Sequence, residues 1–144
     1  MRLTVLLIAL AATTACAPRR TLEFMADPSP PVGPFSRAVR VGDLLFLAGQ
    51  IGTDASGRLV PGGIQPETRQ TLENIRTELR RNGLGMDRVA KCTVFLVDMA
   101  EWGRMNEVYA TFFPGPKPAR SAAGASGLAL GARVEIECIG AYGS

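Results

Sequence analysis

Two hydrophobic periods take turns along this chain. Ala38 to Val41 and Leu44 to Gln50 are rich in branched and aromatic residues, and Gly42-Asp43 between them predicts the turn of a hairpin. Thr21-Leu22-Glu23-Phe24 predicts an earlier strand, Arg88 to Val97 another, and Val134, Ile136, Cys138 and Ile139 a last one. From about Pro66 to Asn82 the period lengthens. Thr68, Leu72, Ile75 and Leu79 fall at i, i+4, i+7 and i+11, one face of a helix that Gly83 closes. Glu101 to Phe113 predicts a second helix, stopped by Pro114-Gly115-Pro116. Pro28, Pro30, Pro31 and Pro34 predict an extended loop, and Ser56-Gly57 and Gly62-Gly63 punctuate another. Strands interrupted by two helices indicate an α+β domain with both helices on one face of a sheet.

The first residues follow neither period. Met1-Arg2 and the apolar run Leu3 to Ala15 read as a signal peptide, too short to span a bilayer as a helix. The run ends Thr13-Thr14-Ala15-Cys16, which resembles a bacterial lipobox with Thr13 in place of the usual branched apolar residue. The expected organisation is therefore a signal peptide over residues 1–15, a lipidated Cys16 with a tether to residue 20, and a domain over 21–144. A tether from Ala17 to Arg20 reaches only about 12 Å, keeping the domain close to the membrane. Ala17 is not Asp, so the resemblance implies an outer-membrane lipoprotein on the periplasmic side of the cell envelope. The alternative is an ordinary cleaved signal with an incidental cysteine, which also predicts an extracytoplasmic protein.

The chain's 144 residues are 47% hydrophobic, enough for one domain with a real core. A net charge of +3, from 16 basic and 13 acidic side chains, gives no field of the kind nucleic acid requires, and no nucleic-acid partner is expected. Histidine is absent, which removes Ser-His-Asp and Cys-His catalysis, histidine as general base and His-based metal sites. No metal and no cofactor are expected. Cys92 and Cys138 lie on apolar, strand-like runs too far apart for a metal-ligand spacing, so they are either buried free thiols or a disulfide.

Two short segments carry candidate chemistry. Pro118-Ala119-Arg120-Ser121 offers an arginine, whose fork can hold a carboxylate through two parallel N–H bonds. Val134-Glu135-Ile136-Glu137 offers glutamates on one strand face, and a carboxylate there can activate a water. A surface or interface ion pair is the competing explanation of the arginine.

The context of these segments resembles the YjgF/RidA family of enamine/imine deaminases. The matching stretches include Gly33-Pro34-Phe35-Ser36, Gly42 to Ile51, Thr68 to Ile75, Val94 to Met99, Met105-Asn106-Glu107-Val108-Tyr109, Pro118 to Ser121 and Val134 to Ile139. The resemblance implies a chorismate-mutase-like fold, a homotrimer with sites in the clefts between subunits, and hydrolysis of small 2-imino or enamino acids to 2-keto acids and ammonia. It also implies that Arg120 binds the substrate carboxylate and Glu135 activates water, with Glu137 a less certain neighbour. Asn106 matches a family asparagine near the site. Gly49 sits where a close backbone approach to substrate would need no side chain, though a strand bulge explains it as well. The family's deaminases carry a tyrosine where this chain has Phe35 and a cysteine where it has Ala122. Both differences make the pocket more apolar, and they imply an altered substrate or a lower rate. They also keep open a second function, a non-catalytic trimeric lipoprotein that binds a small carboxylate.

Overall fold

A computed structural model describes residues 21–25 and 33–143 of the chain. The signal peptide, Cys16, the tether and most of the Pro-rich loop lie outside the described residues. One sheet of seven strands holds β1 (Leu22–Phe24), β2 (Ala38–Val41), β3 (Leu44–Leu47), β4 (Gln50–Ile51), β5 (Val89–Leu96), β6 (Ala119–Gly124) and β7 (Val134–Ala141). The strands run in the order β1-β2-β3-β7-β5-β6, with β4 extending β7 on the β3 side. Every pairing is antiparallel except that of β5 with β6. Helices α1 (Ile64–Arg81) and α2 (Trp102–Thr111) cover one face, as the two periods predicted.

The hairpin turn forms at Gly42, whose φ of 58° is the left-handed conformation that glycine adopts without penalty. β3 ends at Leu47, earlier than the sequence pattern indicated, because Gly49 interrupts it and Gln50–Ile51 continue as a separate strand paired with Ile136 and Glu135.

Helix α1 buries Ile64, Leu72, Ile75 and Leu79 with Thr68 and Thr71. The two threonines are tolerated there because their hydroxyls donate to the carbonyls of Ile64 and Glu67, at 2.7 and 2.8 Å. At its C-terminus the Gly83 N–H donates to the Arg80 carbonyl and the Leu84 N–H to that of Leu79, the paired closure that a left-handed residue permits.

The core lies between the helices and the inner sheet face, where Leu45, Cys92, Val94, Leu96, Val134, Ile136 and Cys138 are buried. Cys92 and Cys138 stand opposite each other on β5 and β7 and form a disulfide. Of the two sequence alternatives, the structure thus shows the bridge. Register pairing of strands far apart in sequence brings the thiols together, which linear spacing does not reveal.

The outer sheet face is covered by none of the described elements. Register aligns two apolar rows across it, Leu22-Val41-Leu44 and Phe24-Val39-Phe46-Ile139. Leu22, Phe24, Leu44 and Phe46 are all exposed. A monomer seldom leaves so continuous an apolar surface in water.

Candidate active site

Arg120 lies on β6, the edge strand, in parallel register with Cys92. Side chains at one register position share a face, so Arg120 projects toward the helices. Its guanidinium carbon sits 4.6 Å from the Tyr109 ring centroid and 5.7 Å from that of Trp102, both on α2. Cation–π attraction to both rings holds the arginine between β6 and α2. Asn106 lies between Trp102 and Tyr109 on the same helix face, four residues after one and three before the other. Ala122, two residues along β6, packs against the core below.

Tyr109 is buried, and its hydroxyl has no hydrogen-bond partner among the described residues. Burial pushes the phenol up to about 12, against a smaller opposing pull from the Arg120 charge, so it stays neutral.

Glu135 alternates with buried Val134 and Ile136 on β7 and therefore projects from the outer face. It lies against Gly49, where a Cβ would come within 2.9 Å of the Glu135 carboxyl carbon, so that close approach requires glycine. Desolvation raises the Glu135 carboxyl above its ordinary range, and the negative charge of Glu137 on the same face raises it further. A carboxylate so perturbed is better matched to accepting a proton near neutral pH.

Phe35 is 58% exposed, in the segment entering β2. Two residues later the Arg37 carbonyl accepts from the Ala48 N–H, which places this segment at the Gly49 end of the sheet.

The expected site residues thus fall into two groups. Arg120, Asn106 and Ala122 stand on the helix side of the β6 edge; Glu135, Gly49 and Phe35 belong to the outer face and the β3–β4 end. β5 separates β6 from β7, about 9.5 Å of sheet at two strand spacings. Within one chain the arginine and the glutamate face away from each other.

Residues not marked by sequence reasoning fix both groups. Asn74 on α1 donates to the Ile51 and Thr53 carbonyls, both at 3.0 Å, and anchors the strand after Gly49. Buried Glu67 accepts from the Arg133 N–H at 2.8 Å, while the Arg133 guanidinium pairs with Glu101 at 3.0 Å. That bridge ties the start of β7, and hence Glu135, to the turn before Trp102. Glu67 and Asn74 stand out in sequence only as polar residues within a helix whose buried face is set mainly by apolar and Thr positions, with Glu78 buried as well. Among the described residues, no group of three or more acidic or sulfur side chains is placed to hold a metal.

Fold and site together define an α+β domain with an arginine held against two aromatic rings on one flank of the sheet and a perturbed glutamate on the other. Residues 26–142 match the family described as Endoribonuclease L-PSP, and the chain belongs to this family, the YjgF/RidA family. It is 44% identical over 113 residues to the 2-iminobutanoate/2-iminopropanoate deaminase of Mus musculus, spanning 78% of this chain and 84% of that protein. Among solved structures it resembles a conserved Rid family protein of Yersinia pestis, with a TM-score of 0.79, 35% identity, and coverage of 85% of this chain and 100% of that one. It also resembles Escherichia coli TdcF with bound serine, with a TM-score of 0.74, 31% identity, and coverage of 78% and 91%.

Proposed function

We propose that this protein hydrolyses small 2-imino acids, or their enamine tautomers, to 2-keto acids and ammonia in a ring of identical subunits. The observation that carries this reading is the placement of Arg120 and Glu135 on opposite faces of one sheet. A heterologous contact laying the outer face of one copy against the β6–α2 edge of the next would bring Glu135 of one to Arg120 of the other. Repeated around a closed trimer, the contact also covers the exposed apolar rows. Resemblance to deaminases, and to a relative that holds an amino acid, supports a small carboxylate ligand.

Arg120 binds the substrate carboxylate in its fork and so fixes the imine carbon relative to the neighbouring subunit. Glu135 takes a proton from water as the water oxygen bonds to the imine carbon, giving a carbinolamine. That proton passes to the former imine nitrogen and completes the neutral carbinolamine; Glu135 then carries the hydroxyl proton to the amine, and the oxygen's electron pair forms C=O as the C–N bond breaks, releasing ammonia and the 2-keto acid. The imine carbon is intrinsically electrophilic, so positioning and one base supply the required steps. Glu135 and Glu137 on the same face disfavour the family description's polyanionic RNA as a substrate.

The test is an imine-hydrolysis assay on the soluble domain. An amino-acid oxidase generates the imine, and semicarbazide competes for it. Faster imine loss that disappears in Arg120→Ala and Glu135→Gln is expected; no acceleration from a folded oligomer would leave simple carboxylate binding as the function.

The protein belongs, on this reading, on the periplasmic side of the envelope, anchored through lipid on Cys16. The Cys92–Cys138 disulfide supports an oxidising compartment. Cys16→Ser should move the protein from the membrane to the soluble periplasmic fraction, and retention in membranes would remove the anchor.

A further inference from the structure

The side chains exposed around Arg120 bear on the substrate's side chain. On β6, Arg120, Ala122 and Gly124 share one face and make a floor of small residues beyond the guanidinium. Over the far end lies Met99, whose Cγ is 3.3 Å from where a Gly124 Cβ would be. Trp102 stands beside the guanidinium itself. Both are large apolar side chains that the fold leaves uncovered, Met99 at 46% and Trp102 at 42% exposure. On that wall Tyr109 keeps its hydroxyl buried, and Asn106, between Trp102 and Tyr109, is the polar side chain nearest the guanidinium's end rather than Met99's.

We propose that Met99 and Trp102, over the Ala122–Gly124 floor, form an apolar subsite, so that this protein prefers 2-imino acids with bulky aromatic or branched aliphatic side chains. The proposal rests on the deaminase reading and names the substrate class of that same site. With the carboxylate on Arg120, a phenyl or isobutyl group displaces water from exposed Trp102 and Met99. A methyl group reaches neither. Burial of apolar area is then available only to the larger substrates.

Trp102 is the only tryptophan in the chain, so its fluorescence reports on the surroundings of Arg120 alone. The experiment compares imines generated from alanine, leucine and phenylalanine, for the native protein and for Met99→Ala. The native kcat/KM should be roughly tenfold or more higher for the phenylalanine-derived imine than for the alanine-derived one. Met99→Ala should erase much of that difference while leaving the alanine-derived imine nearly unaffected. In parallel, 3-phenylpropanoate should perturb the Trp102 emission at much lower concentration than propanoate does, and Arg120→Ala should abolish both responses.

Equal rates for all three imines would overturn the subsite and leave the deaminase intact. No hydrolysis of any imine, with the fluorescence preference preserved, would overturn the deaminase and leave the subsite. Loss of the oligomer in Met99→Ala, seen by native mass measurement, would make Met99 an interface residue and overturn the proposal.

Discussion

Mixing two inactive variants tests the divided site directly. Arg120→Ala lacks the carboxylate clamp and Glu135→Gln lacks the base, and each alone should be inactive. If one active site joins Arg120 of one subunit to Glu135 of the next, a mixed ring regains a site wherever a subunit with an intact arginine abuts one with an intact glutamate. In an equimolar random mixture, the arginine side is intact at half the contacts and the glutamate side at half. About one quarter of the sites should therefore be whole, whatever the number of subunits in a closed ring of heterologous contacts. The structure sets this magnitude: the two side chains leave opposite faces of the sheet, so one chain cannot rebuild the site alone. The assay is co-refolding from denaturant at a range of ratios, followed by imine hydrolysis. Activity should peak at equal amounts, near one quarter of the native value. Zero activity at every ratio, from rings shown to be mixed, would refute the shared site and with it the assignment of both roles.

Three further outcomes follow from the same geometry. Glu137 raises the Glu135 carboxyl, so Glu137→Gln lowers it, and the acidic limb of the kcat/KM profile should move to lower pH; a shift the other way would separate the limb from Glu135. Gly49→Ala puts a methyl group into the Glu135 carboxylate, so kcat should fall while the melting temperature changes little, and native activity would show that Glu135 is not positioned by this contact. Removing the disulfide by a Cys92→Ala/Cys138→Ala pair should cost up to about 4 kcal/mol in a urea titration, from loop closure over its separation of 46 residues; an unchanged midpoint would show that the bridge adds nothing to stability.

Much of the fold was legible because local chemistry encoded it. The i, i+4, i+7 face of α1, the Gly42 turn and the alternation of β7 each name their element, and the structure places all three where the periods did. β6 was not legible as a strand. Ala119-Arg120-Ser121-Ala122-Ala123-Gly124 has neither branched residues nor alternation, and it becomes a strand only because β5 offers an open edge for parallel pairing. The bridge between Cys92 and Cys138 was undecided for the same reason: pairing across strands is a property of register.

The sequence by itself determined the α+β class, both helices and most of the strands, and the arginine and glutamate available for chemistry, because these depend on side-chain type and short-range period. Only the tertiary structure decided that Arg120 is clasped by Trp102 and Tyr109 on one side of the sheet while Glu135 rests on Gly49 on the other. Which face a side chain takes depends on strand register and sheet order. Those are set by burial summed over the whole core, and a short motif does not contain that sum.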